Sequence, residues 1–262
     1  MKLKKYVWLL LPIIFGSCQI KEEFVIQKNG SGTYAVGMDM SEFMAAAKDK
    51  NDSISKETPR DTIVFFSDIL DKKKDSFATL PKKEQNRLKV LRPMNFRFSM
   101  DEGVNKMVFN LNFPFKNMRN LAEFQEAIAN VDDKHIQELF LEGSGKKKDT
   151  KESEKLGKKD DEFLQIGKSF VTTFSKKRFT RKLSKAAREE VLIKKDSAFG
   201  TSNQFMEMLT IKQVYRFPYR IREVSNPNAK ITSDFKGVEI EGALTKMKTD
   251  LDYFDIEVVF EK

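Results

Sequence analysis

Between residues 94 and 113 the chain alternates with a strict period of two. Met94, Phe96, Phe98 and Met100 fall in phase, with Asn95, Arg97 and Ser99 between them. After a turn at Asp101-Glu102-Gly103, the residues Met107, Phe109, Leu111 and Phe113 repeat the pattern against Val108, Asn110 and Asn112. Successive strand side chains point to opposite faces, so this spacing predicts a hairpin with one apolar and one mostly polar face. An antiparallel sheet covered on one side only has that pattern.

Other stretches fit around the hairpin. Glu22–Gln27 and Tyr34–Met40 read as two strands joined at Lys28-Asn29-Gly30-Ser31-Gly32, where glycine supplies the turn conformations. Ser41 opens an expected helix to Lys48 as its N-cap. Asp61–Asp71 carries Ile63, Phe66, Ile69 and Leu70 at helical spacing, and 82–91 reads as a helix between Pro81 and Pro93. Leu121, Phe124, Ala127, Ile128 and Val131 form a helical stripe, and His135–Leu141 reads as a further short helix. Gly143–Asp161 holds almost nothing apolar. Such a run cannot bury enough surface to offset its ordering entropy and reads as a flexible, lysine-rich insertion, about 143–162.

Beyond it, 168–182 reads as strand with a basic turn at Lys176-Lys177-Arg178, followed by helices from Ser184 and at Asn203–Leu209. Tyr215, Phe217, Tyr219 and Ile221 alternate as one strand that Pro218 confines to an edge or a bulge. Residues 229–235, 237–243 and 254–260 complete the strands. Hairpins alternate with helices and show no regular βαβ rhythm. The expected class is therefore α+β: an antiparallel sheet built from hairpins, with helices packed on one face.

The first residues speak to address. Lys2, Lys4 and Lys5 precede the apolar run Tyr6–Phe15, then come Gly16, Ser17 and Cys18, the sole cysteine. The run is too short for a bilayer span, which takes about 20 residues, but suits a secretory signal. Phe15-Gly16-Ser17-Cys18 resembles the lipobox of bacterial lipoproteins, with Phe15 in place of the usual Leu. That resemblance implies cleavage before Cys18 and its acylation with palmitate-type chains, giving a signal peptide at 1–17 and one extracytoplasmic domain at 18–262. Each buried methylene would then contribute about 0.8 kcal/mol to membrane attachment. Lys21-Glu22-Glu23 resembles the export signal of Bacteroidetes surface lipoproteins, which implies display on the outer face of the outer membrane; the alternative is a periplasm-facing anchor. The ends of the chain, Asn29-Gly30-Ser31-Gly32 between two strands and Tyr215–Ile221 with its Phe-Pro, resemble the exported domain of the LppM type. In outline the chain is similar to uncharacterised flavobacterial lipoproteins.

Loss of residues 1–17 removes three lysines and no acid, lowering the net charge from +9 to +6. This modest basic excess suits anionic glycan or lipopolysaccharide, whereas nucleic acid is a poor partner outside the cell. With Cys18 acylated, no thiol is left to form a disulfide.

Motifs for chemistry are sparse. His135 is the only histidine, and one imidazole makes neither a zinc site nor a triad, so no metal and no cofactor is expected. Gly30-x-Gly32 is followed by a strand where a dinucleotide loop requires a helix. Lys176, Lys177, Arg178, Arg181 and Lys182 form the densest basic run, continued by Lys185 and Arg188. This run is the candidate anionic-surface patch, set against an ordinary solvated face. The expectation is a non-enzymatic, lipid-anchored binding or accessory protein of the cell envelope. The alternatives are a carboxylate-dependent hydrolase of envelope or environmental polymer, and a carrier of an apolar ligand.

Overall fold

The N-terminal strand is the inner strand that organises the molecule. In the computed structural model, which describes residues 19–42, 45, 59–130, 167–197 and 209–261, β1 (Gln19–Ile26) and β2 (Gly32–Asp39) form the first hairpin. Its turn closes through Gly30, at φ +82, a conformation glycine takes without penalty. Gly32 is also required, because a Cβ there would lie 2.0 Å from the Val25 carbonyl oxygen.

The large sheet has the order β10-β11-β8-β1-β2-β5-β4-β3, where β3 is Arg60–Phe65, β4 Asn95–Asp101, β5 Lys106–Phe115, β8 Thr210–Arg216, β10 Lys230–Ile231 and β11 Gly237–Ala243. Every pairing is antiparallel except β1 with β8, which run parallel with Ile20, Glu22 and Phe24 opposite Ile211, Gln213 and Tyr215. A strand near the start of the chain is thereby locked to one near its end.

A second, four-stranded antiparallel sheet has the order β6-β7-β12-β9, from Phe170–Phe174, Arg178–Leu183, Ile256–Phe260 and Ile221–Val224. It shares one face of the large sheet with the helices. Phe179 of β7 packs on Tyr215 at 5.1 Å between ring centroids, and Phe124 of α4 (Met118–Ala129) stacks on Phe113 of β5 at 3.8 Å. Helices α1 (Phe66–Lys72), α2 (Lys74–Thr79) and α3 (Lys82–Leu91) lead from β3 to β4. Phe66, Ile69, Leu70 and Leu91 join the core. After β7, α5 (Lys185–Ser197) starts at Ser184, whose Oγ accepts the Ala187 N–H at 3.1 Å, and α6 (Lys246–Thr249) precedes β12.

The α+β class and the hairpin-built sheet are as expected, with three local differences. Residues 60–65 form an edge strand instead of the start of a helix: Thr62, Ile63 and Val64 are stiff at χ1 and suit a strand, and they pair with Phe98, Arg97 and Phe96. The stretch expected as one strand at 215–222 is divided. β8 ends at Arg216 in the large sheet and β9 begins at Ile221 in the small one, so Pro218 lies in the crossing between them. The helices also share the covered face with a second sheet. The expected helix to Lys48 is described only at Ser41, Glu42 and Ala45. The expected helix at His135–Leu141, the insertion at 143–162, and all but Leu209 of that at Asn203–Leu209 lie outside the described residues.

Candidate functional site

Three places in the fold gather polar chemistry. The first lies between the sheets. On β1 the core-facing positions are Ile20, Glu22, Phe24 and Ile26; on β7 they are Phe179, Arg181 and Leu183. Each series carries one charge in phase with its apolar neighbours, and the two charges meet. Arg181 Nη2 donates to Glu22 Oε1 at 2.7 Å, and Arg181 and Glu22 are 0% and 2% exposed. Tyr34 Oη donates to the same oxygen at 2.8 Å, Gln213 Nε2 to Glu22 Oε2 at 3.0 Å, and Tyr215 Oη to Gln213 Oε1 at 2.8 Å. The guanidinium also donates to Thr172 Oγ1 at 3.0 Å and lies between the rings of Phe24 and Phe170, 4.6 and 4.4 Å from their centroids.

Burial pulls the Arg181 pKa down, but the Glu22 carboxylate, together with Tyr215 and Tyr34, outweighs it and holds the group above the ordinary arginine value. Burial drives the Tyr34 phenol well above its ordinary range, and the Glu22 charge adds to the shift; Tyr215 is raised too, chiefly by burial. With three donors on its two oxygens, the Glu22 carboxylate is a fixed acceptor. The network joins β1, β2, β7 and β8 through buried side chains and so registers one sheet on the other.

The second place is the uncovered face of the large sheet. Lys21 and Glu23 of β1, Ala35 and Gly37 of β2, Arg97 of β4, and Asn110 and Asn112 of β5 line an open groove of about 230 Å³. Lys21 Nζ and Arg216 Nε both donate to Glu23, at 2.7 and 2.9 Å, and Arg97 forms a two-pronged pair with Asp61 at 2.9 and 2.6 Å. Partial burial pushes the Glu23 carboxyl up, but the two cations outweigh it and hold it below the usual carboxylate range. Hydrogen bonding from Arg97 lowers Asp61 as well. Both acids are therefore fixed as anions, the wrong state for a general acid at neutral pH.

The third place is the end of the sheets reached by the β1–β2 turn and the β6–β7 turn. Phe174 packs against Tyr219, whose Oη reaches the Lys28 carbonyl at 3.5 Å. The Phe260 N–H donates to the Lys177 carbonyl and the Glu261 N–H to that of Arg220, at 3.0 and 2.9 Å. These contacts bring the exposed Lys28, Lys176, Lys177, Arg178 and Arg220 to one end of the molecule. Glu257 pairs with Arg178 at 3.1 Å and Glu261 with Arg220 at 3.3 Å. No described acid lies within ion-pair distance of Lys28, Lys176 or Lys177.

The basic run of the sequence is thus divided. Lys176, Lys177 and Arg178 lie at this end and Lys182 is exposed further along β7, but Arg181 belongs to the interior and is withdrawn from the surface patch. Strand alternation is the physical reason, since 179, 181 and 183 share the inward face. Lys28 and Arg220, distant in sequence, take part instead. Within the Lys21-Glu22-Glu23 run, Lys21 and Glu23 face the open groove whereas Glu22 is buried. Arg188 pairs with Asp252 at 2.7 Å and also with Asp255. Burial raises the Asp255 carboxyl against the pull of the Leu183 N–H and of Arg188, and the cluster ties α5 to the approach to β12.

Cys18 and His135 lie outside the described residues. Among the described residues no set of three or more His, Cys, Asp or Glu side chains could hold a metal ion, and no helix is long and apolar enough to cross a membrane. No protein-family model, curated protein or solved structure matches the chain.

Proposed function

We propose that the chain is a lipid-anchored protein of the cell envelope with a non-catalytic binding role, and that its binding surface is the basic end carrying Lys28, Lys176 and Lys177, for an anionic glycan or lipopolysaccharide. The anchor reading rests on the secretory-type opening and on Cys18 within Phe15-Gly16-Ser17-Cys18. The observation that carries the binding reading is the meeting of two sequence-distant hairpin turns in one cationic surface whose three lysines have no described acidic partner. Unmatched exposed cations on one end raise the local concentration of polyanions and hold them through charge-assisted hydrogen bonds.

The test is binding of purified lipopolysaccharide to wild type and to Lys28→Glu/Lys176→Glu/Lys177→Glu, measured by calorimetry at low and at physiological salt. The expected result is a fall in affinity of about tenfold or more in the variant, and a fall for wild type as salt shortens the Debye length to about 8 Å. Equal affinity of the two proteins overturns the binding reading.

A further inference from the structure

We infer that the domain has a fixed orientation on its membrane, with the end of the large sheet formed by the β4–β5 turn and α6 seated on the headgroup layer that holds the acyl chains. This inference rests on the proposed anchor at Cys18 and adds which surface faces the lipid.

The chain offers no tether. Cys18 is one peptide from Gln19, so the two Cα atoms are about 3.8 Å apart. Gln19 is already paired on both sides, with Asp39 of β2 and Thr210 of β8. An acylated Cys18 therefore places the Gln19 end of an inner strand against the bilayer.

Strand register identifies what shares that end. Asp39 lies opposite Val108, so Lys106, Met107 and the turn before them extend past the level of Gln19. Two residues at about 3.3 Å each carry the turn roughly 7 Å further toward the lipid. At its tip Val104 is 69% exposed, and Lys106 beside it is exposed. Across the sheet Thr210 pairs with Ala243, which leads into α6 and the exposed Lys246. Acids share this end: Asp101 accepts the Gly103 N–H at 2.9 Å and Asp39 the Ser41 N–H at 2.9 Å, while Glu42 and Asp250 are exposed. An exposed apolar tip with Lys106 beside it suits contact with a headgroup layer. The basic end with Lys28, Lys176 and Lys177 lies at the other end of β1, about 23 Å away at the same rise per residue.

The sequence supplies a clean reporter. Trp8 is the only tryptophan and precedes Cys18, so the mature chain has none. Val104→Trp and, at the opposite end, the exposed Lys116→Trp are each purified as the mature lipoprotein, checked by intact mass, and reconstituted into phosphatidylcholine vesicles with brominated acyl chains. The expected result is loss of emission from the tryptophan at 104 and none from that at 116. A Gly-Ser linker of about ten residues inserted after Cys18, with a root-mean-square span of about 17 Å, restores the emission at 104. Equal quenching at the two positions in the acylated protein overturns the orientation and leaves the anchor standing. A mass without acyl chains on Cys18 overturns the anchor, and the orientation with it.

Discussion

Glu22 and Arg181 bring opposite charges into an interior filled mostly by phenylalanine, tyrosine and aliphatic side chains. Removing water from two ions is expensive, and their attraction offsets the loss only because further donors complete the carboxylate. Breaking the pair is therefore far worse than replacing it. Glu22→Leu or Arg181→Met alone is expected to destabilise by about 3–5 kcal/mol, whereas the double variant recovers most of that loss. Urea unfolding of the three proteins measures the coupling, and additive losses would contradict it. The tyrosines supply a pH signature. Tyr34 and Tyr215 titrate higher in the folded chain than their ordinary value of 10.0. The folded state thus retains protons that the unfolded state releases, and stability that is complete below about pH 10 is lost as pH rises beyond it. Each phenol contributes a slope of about 1.4 kcal/mol per pH unit. Tyr34→Phe is expected to flatten the alkaline loss of stability by one proton, read from urea midpoints above pH 9. An unchanged slope would show that the phenol is not held protonated. Because Glu22 is buried in this network, a trial of the export signal expected at Lys21-Glu22-Glu23 is informative with Lys21→Ala/Glu23→Ala, which spares the core.

At the scale of elements, the hairpins were legible because period-two alternation is local. β4 and β5 follow the Phe and Met phase of residues 94–113, and α4 follows the stripe from Leu121. Partner choice was less accessible, since alternation names the buried face but not the neighbouring strand. Nothing in residues 210–216 alone marks a parallel alignment with β1. The edge strand β3 is hidden in the sequence because Ile63, Phe66 and Ile69 also fit a helical face, while pairing with β4 decides the outcome for residues 60–65. The buried network left a trace that spacing alone did not resolve: Glu22, Arg181 and Gln213 each occupy a core-facing slot in an apolar series, three misfits whose mutual solution appears only once the strands are placed. Turn chemistry gives a direct test at this scale. Gly32→Ala forces a Cβ into the Val25 carbonyl and is expected to destabilise by more than about 2 kcal/mol. Phe124→Ala, which removes the ring stacked on Phe113, is expected to cost about 3–5 kcal/mol. Thermal melts of both variants check these figures, and wild-type melting of Gly32→Ala would contradict the tight turn.

On the scale of the whole molecule, β1 links the proposed anchor to the proposed binding surface. Its first residue follows Cys18, its core-facing side carries the charge that registers the small sheet, and its last residue leads into the turn that contributes Lys28. Under the proposed anchor, residues inserted after Cys18 lift the domain off the membrane surface without altering its core, and the chain stays attached. The proposed anchor requires Cys18 to be the acylated first residue of the mature chain. Intact-mass measurement of the protein extracted from membranes tests it most directly. The predicted result is a chain beginning at Cys18 that carries a diacylglyceryl group. A membrane-bound chain that retains residues 1–17, or one that starts at Cys18 without added acyl mass, would contradict it.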